Sequence, residues 1–196
     1  MLTGVGAAIR SAGVRPGDSV AVFGLGGVGL AALMGAVLAG AGTVIGSDPI
    51  PGKLELARSL GATGTVAAGP DAVDQVREQT GGGADIVIET VGSAAVLAEA
   101  YAATGRGGTT VTVGLPDPAQ QLEISAVSLV AEERTLKGSY LGSCVPALDI
   151  PRFIELFERG RLPVDSLLTG TLALEDVNEA FDRLASGEAA RQAILF

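Results

Sequence analysis

Residues 19–48 read SVAVFGLGGVGLAALMGAVLAGAGTVIGSD, and from Ser19 to Ser47 the run carries no charge. An uncharged apolar stretch of roughly 18 residues or more is the usual mark of a membrane-spanning helix. Glycine argues against that reading. Gly24, Gly26, Gly27 and Gly29 crowd together, and each would cost about 1 kcal/mol relative to alanine inside a helix. The flanking charges, Asp18 and Asp48, are acidic, with no basic cluster or aromatic belt at either end.

Divided into parts, the same run becomes regular. Residues 19–23 are a short β-branched and aromatic strand, 24–29 a loop, 30–40 a helix and 43–48 a second strand. Gly24, Gly26 and Gly29 form Gly-x-Gly-x-x-Gly between strand and helix, and Asp48 ends the next strand about twenty residues on. This context predicts a dinucleotide site. Gly24 permits the tight turn, Gly26 lets the pyrophosphate approach the backbone, and Gly29 allows close helix–sheet packing. The amides of Gly27 and Val28 are expected to face the phosphates at the helix start. Asp48 is expected to accept hydrogen bonds from the adenosine ribose hydroxyls; the competing reading is a helix N-cap.

The chain has 196 residues, 47% of them hydrophobic, and a formal net charge of −9. That length and composition fit one folded globular domain with room for an appendage. It disfavours nucleic-acid or anionic-membrane partners, which need clustered Lys and Arg. One cysteine, Cys144, cannot form an internal disulfide, and residues 1–13 lack the layout of a signal peptide, so the expected compartment is the cytoplasm. The chain contains no histidine, which excludes from it histidine bases, Ser–His and Cys–His pairs and histidine-bearing zinc sites. No catalytic residue and no metal ligand is therefore assigned.

Beyond Asp48, helices are expected at 51–62, 71–80 and 93–104, strands at 63–68 and 109–115, and a turn feeding a fully apolar strand within 81–92. A short helix and a sixth strand follow within 125–142. Strands alternating with helices imply an α/β fold with a Rossmann-type, doubly wound parallel six-stranded sheet of order 3-2-1-4-5-6, with the ligand across the ends of strands 1 and 4. The rhythm changes past Gly142. Ile150, Phe153, Ile154 and Phe157 form one apolar stripe, and Val177, Ala180, Phe181 and Leu184 another. The expected division is thus 1–142 as the nucleotide-binding domain and 143–196 as a C-terminal helical and strand appendage.

The segments VRPGDSVAVFGLGGVG, KLELARSLGAT, DIVIETVG, TVGLP, TLKGSYLG and DVNEAFDRLASGEAARQAILF, with Asp48 and Lys53, resemble the medium-chain dehydrogenase/reductase family in its zinc-dependent alcohol dehydrogenase branch. The resemblance covers essentially the whole chain and matches the cofactor-binding half of a subunit about twice as long. It implies an oxidoreductase that passes hydride between a small alcohol or aldehyde and NAD(H), with zinc held in an upstream domain. In the family pattern Cys-x-x-x-Thr-Gly, Thr3 and Gly4 match the last two positions, so this chain is expected to begin just after that domain and to be inactive by itself. GLGGVG separates this branch from zinc-free quinone and enoyl reductases only in part. Such a reductase domain, or a non-catalytic dinucleotide-binding module, remains an alternative.

Residue by residue, the resemblance places Lys53 beside the adenosine ribose. It gives the carbonyls of Val113 and Ser139 and the amide of Leu141 to the nicotinamide carboxamide, sets Val28 against the ring with Thr3 close by, and assigns Arg191 to the pyrophosphate. It implies a homodimer joined near strand six, about Leu122 to Tyr140. It gives Glu89 no chemistry, so Glu89 is read as structural, Cys144 as a loop filler and Tyr140 as a packing residue.

Overall fold

The computed structural model describes residues 1–186 and 191–196; residues 187–190, part of the closing motif, lie outside the described residues. The sheet comprises β1 (Ser19–Phe23), β2 (Thr43–Asp48), β3 (Gly64–Ala67), β4 (Ala84–Glu89), β5 (Thr104–Thr112) and β6 (Thr135–Gly138), in the order β3-β2-β1-β4-β5-β6. Every pairing is parallel. Both the expected order and its reversal beside β1 are observed.

Strand alternation explains how the core divides. Val20 and Val22 of β1, with Ile86 and Ile88 of β4, share one cluster with Leu30 and Leu33 of α2 (Gly27–Leu38). Ala21, Phe23 and Val87 point the other way, against Val76 of α4 (Ala72–Gln79) and Ala100 of α5 (Ala94–Ala103). Burial on both faces is why β1 and β4 read as continuous apolar runs.

The α2 helix resembles a membrane segment for a related reason. Its residues from Gly29 to Ala36 are all buried, because the sheet covers one side and α1 (Leu2–Gly6) crosses the other. Small residues permit that crossing. A Cβ at Gly35 would stand 3.0 Å from the Val5 Cα, and one at Gly4 would overlap the Val28 carbonyl oxygen. Among the described residues no helix is long and apolar enough to cross a membrane.

Several local features differ from expectation, among them α2, which begins at Gly27 inside the stretch expected as loop. α1 and the π-helical turn Ala7–Ala12 that continues it were not anticipated. β5 begins at Thr104, not 109, because its glycine-rich start pairs with β4 across a register shift between Ala84 and Ile86. The strand also ends at Thr112, leaving Val113 in the following loop.

After α6 (Ala126–Ala131) and β6, the chain forms α7 (Pro146–Glu158), β7 (Gly170–Ala173), α8 (Val177–Ser186) and β8 (Gln192–Leu195). β7 and β8 form a separate parallel pair. Packing does not break at Gly142, since Leu162 and Leu167, 0% and 2% exposed, belong to the same core cluster as β1 and α2. The outer face of α7 stays open, with Ile150, Ile154 and Phe157 exposed along a groove of about 390 Å³.

Candidate functional site

Two clefts open at the carboxyl ends of the strands. One, of about 440 Å³, lies over β1, β2 and β4 and is lined by Gly24, Gly26, Ser47, Asp48, Lys53 and Thr90 among others. The second, of about 620 Å³, lies past β5 and β6 and is lined by Thr3, Val113, Gly114, Ser139, Tyr140 and Leu141. Both are in the size range of small-molecule sites.

The three motif glycines have different physical reasons. Gly24 adopts φ +88°, and a Cβ there would stand 2.6 Å from Val91 Cγ2. A Cβ at Gly29 would overlap the Gly24 carbonyl oxygen. The fold itself therefore requires both. Gly26 differs, since its φ of −70° and ψ of −175° suit any residue and a Cβ would meet nothing within 4 Å. It is the N-cap of α2, and among the described residues no side chain caps that helix, so its first-turn amides have no side-chain acceptor.

Asp48 is 4% exposed, and its carboxylate is fixed from three sides. Oδ2 accepts from the Leu25 amide at 2.8 Å and Oδ1 from the Ile50 amide at 3.0 Å, while Lys53 Nζ stands 3.6 Å from Oδ2. α3 (Pro51–Ser59) has no side-chain cap, so the N-cap reading of Asp48 does not describe these bonds. Lys53, on that helix, folds over the carboxylate with its side chain 17% exposed rather than standing free in solvent. Next to Asp48, Ser47 is 2% exposed and its hydroxyl has no hydrogen-bond partner among the described residues. Leaving a buried hydroxyl unpaired costs about 1–3 kcal/mol.

Between the clefts, Glu89 acts as an internal anchor. Fully buried at the end of β4, it accepts from the amides of Val91 and Gly92 at 2.7 Å each through Oε1 and from the Thr112 hydroxyl at 2.7 Å through Oε2. Three of its roughly four acceptor positions are taken by the chain itself, and it is fully buried, which agrees with the structural reading. Thr90, which sequence reasoning passed over, donates its hydroxyl to the Gly24 carbonyl at 2.9 Å and so ties β4 to the glycine turn. Lone threonines after strands are common, and the sequence held no signal for this bond.

The second cleft is bounded by a strained loop. Leu141, Gly142 and Ser143 have φ of +49°, +68° and +53° in succession. Two of them are not glycine, and each such residue costs about 1–3 kcal/mol. Gly142 fits closely on α1, where a Cβ would stand 2.6 Å from the Thr3 carbonyl oxygen. Tyr140 does not pack as expected: it is 78% exposed and lines the cleft.

The structure thus gathers Gly24, Gly26, Asp48 and Lys53 at one cleft, and Thr3, Val113, Ser139 and Leu141 at the other. Gly27 and Val28 lie at the start of α2, with the Val28 carbonyl against Gly4 beside Thr3. Arg191 lines neither cleft. It is exposed, and its backbone pairs with Thr169 at the foot of the β7–β8 pair. Cys144 turns its thiol toward the Leu2 carbonyl at 3.6 Å, and burial, aided by the nearby Asp149 charge, raises its pKa. No group of three or more Cys, Asp or Glu able to hold a metal is present among the described residues.

Comparison with known proteins places this architecture. The family model described as zinc-binding dehydrogenase matches residues 27–159. A putative alcohol dehydrogenase D of Mycobacterium tuberculosis is 39% identical over 197 aligned positions, covering 98% of this chain and 54% of that protein. The crystal structure of an alcohol dehydrogenase zinc-binding domain protein from Burkholderia ambifaria superposes with a TM-score of 0.95 at 40% identity, over 100% of this chain and 53% of that one. Benzyl alcohol dehydrogenase from Acinetobacter calcoaceticus gives a TM-score of 0.95 at 31% identity, over 100% and 54%. The chain spans about half the length of the curated relatives it matches. With a doubly wound sheet, a glycine turn at its switch point and a family match through most of its length, the chain belongs to the zinc-binding dehydrogenase family.

Proposed function

We propose that this chain binds NAD(H) and forms the cofactor-binding portion of a zinc-dependent alcohol dehydrogenase acting on a small alcohol or aldehyde. The observation that carries the reading is Asp48, a buried carboxylate immobilised at the end of β2 beside the open Gly26. A carboxylate has about four acceptor positions, and the two amides leave room for ribose hydroxyls. The same charge repels a 2′-phosphate, which favours NAD over NADP.

Two further features fit a nucleotide. Gly26 is a glycine that neither its dihedrals nor its neighbours require, as expected where a pyrophosphate approaches the backbone. The unpartnered Ser47 hydroxyl lines the same cleft and is suited to an adenosine. Val113, Ser139 and Leu141, with Thr3 and Val28, would hold the nicotinamide end at the second cleft. Arg191, whose charge lies near the Met1 amino group, would reach the pyrophosphate from the β8 side.

When bound, the nicotinamide supplies hydride acceptance and donation; the residues here bind, orient and shield it. They do not fit a catalytic zinc, which needs about three converging Cys, His or carboxylate ligands, because the chain has one cysteine and no histidine. In this reading the metal is held by polypeptide upstream, which also covers the exposed apolar face of α7. The open edge of β6 supports pairing with a second copy. Calorimetric titration of the purified chain with NAD, NADP and ADP-ribose tests the proposal. Binding of NAD in preference to NADP is expected, and no binding of either dinucleotide would overturn it.

A further inference from the structure

We propose that the buried hydroxyl of Ser11 is a positioning group for the nicotinamide end of the site, an inference that rests on the NAD(H) reading above. Ser11 lies on the π-helical turn after α1 and is 4% exposed. Its Oγ is 2.6 Å from Ser139 Oγ and 2.8 Å from Ser143 Oγ, so one hydroxyl joins both ends of the loop that borders the second cleft. A hydroxyl has one donor and two acceptor positions, so Ser11 can donate to one partner and accept from the other.

The same residue is held on its far side. Lys137 Nζ, from β6, donates to the Ser11 carbonyl at 2.8 Å, and the Ser139 amide donates to the Thr112 carbonyl at 2.9 Å. The fixed point is thus tied to the sheet independently of the loop. Between Ser139 and Ser143 run the left-handed residues Leu141 and Gly142, and Ser143 itself is left-handed. Backbone of this kind persists only where its surroundings over-determine it. Local turns supply part of the constraint, through the Ser143 amide to the Tyr140 carbonyl at 2.9 Å and the Cys144 amide to the Leu141 carbonyl at 3.3 Å. Neither bond reaches outside the loop. The Ser11 hydroxyl does, adding to the Ser139–Thr112 backbone bond and to the close seat of Gly142 on α1, and it helps hold Ser139 and Leu141 in place relative to Thr3.

Ser11 does not line either cleft, so its effect must pass through Ser139 and Ser143. Removing its hydroxyl should therefore loosen one half of the site and spare the other. The test titrates the wild-type chain, Ser11→Ala and the milder Ser143→Ala with NADH, followed by nicotinamide fluorescence, and with ADP-ribose, followed by calorimetry. The expected result is ADP-ribose affinity unchanged in all three. NADH affinity should fall about tenfold in Ser11→Ala, the loss of about one net hydrogen bond, with reduced fluorescence enhancement. Ser143→Ala should fall by less, and the double variant should be no worse than Ser11→Ala. Wild-type NADH binding in Ser11→Ala, or equal loss of both ligands, would overturn the positioning role. Failure of the wild-type chain to bind NADH would overturn the cofactor reading, and this inference with it.

Discussion

The Asp48 carboxylate accepts the amide hydrogen of Leu25 across 2.8 Å, so the acidic end of β2 is bonded directly to the glycine turn after β1. Its other oxygen holds Ile50 at the entry to α3. One side chain therefore fixes the spacing between two loops and places a negative charge at the point where they meet. Position and charge can be separated by substitution.

Asp48→Asn keeps one acceptor oxygen and removes the charge. Hydrogen bonds to a charged group contribute about 1.5–3 kcal/mol, so the preference for NAD over NADP should fall about ten- to a hundredfold. The new amide also turns a donor toward the Leu25 or Ile50 N–H, so the apo chain should lose about 1–3 kcal/mol of stability. Parallel NAD and NADP titrations with chemical denaturation measure both. An unchanged NAD to NADP ratio would remove Asp48 from cofactor selection.

Gly26 and Gly29 belong to one motif but should fail differently. At Gly26 a methyl points into open space, so Gly26→Ala should change stability by no more than about 1 kcal/mol, the scale of an N-cap change. Dinucleotide affinity should nevertheless fall by about tenfold or more, because the methyl occupies the approach to the helix amides. At Gly29 the methyl overlaps the Gly24 carbonyl. Gly29→Ala should therefore lose about 1–3 kcal/mol or more through overpacking, with or without ligand. Similar stability losses in both variants would show that Gly26 is also a packing glycine.

The strand order and the switch point were legible because they rest on local signals: apolar runs of strand length, a glycine turn and an acidic strand end. What was not legible depended on distant partners. α1 carries Gly4 and Gly6 and no amphipathic stripe, since it is buried against α2 and the loop after β6, so no periodicity marked it. The start of β5 is glycine-rich, and its pairing with β4 overrides a poor strand propensity. Tyr140 was expected to pack near the sheet edge, yet it stands 78% exposed just before the left-handed turn that begins at Leu141. The hydroxyl contacts of Ser11 join residues more than a hundred positions apart. No spacing rule reaches that far.

Acid should loosen the contact between α7 and the π-helical turn. Asp149 is 1% exposed; burial alone would raise its pKa, but the Val145 amide, the Arg10 guanidinium and the Arg152 charge outweigh burial and hold it below the usual carboxylate range. A carboxyl lowered in the folded state contributes stability above its unfolded pKa of about 3.9, and that contribution is lost as pH falls through the folded value. Asp149→Asn should therefore be less stable than wild type at pH 7, and the gap should narrow progressively below about pH 4. Thermal midpoints from pH 7 downward measure it. A gap that stays constant with pH would show that the charge of Asp149 contributes nothing.

Hydrogen exchange should divide the C-terminal segment within itself rather than at Gly142. Leu162 and Leu167 are buried in the cluster that contains Val20, Val22 and Leu33, so their amides open only when that core opens. The region from β7 onward is held differently. β7 and β8 form a two-stranded sheet, a size marginal by itself in water, and Leu174, Phe181, Leu184 and Leu195 on or beside it are exposed by 51%, 63%, 42% and 63%. Its apolar side chains contribute little burial to offset the entropy of ordering the chain. Amides of 170–173 and 177–186 should thus exchange far faster than those of β1 and β4, while those near 162–167 approach the slow rates of the sheet. Addition of NAD should slow the amides around Gly24 to Gly29 and leave 177–186 unchanged. Uniformly slow exchange from 143 to 186 in a monomer would show that the segment holds itself together without any covering partner.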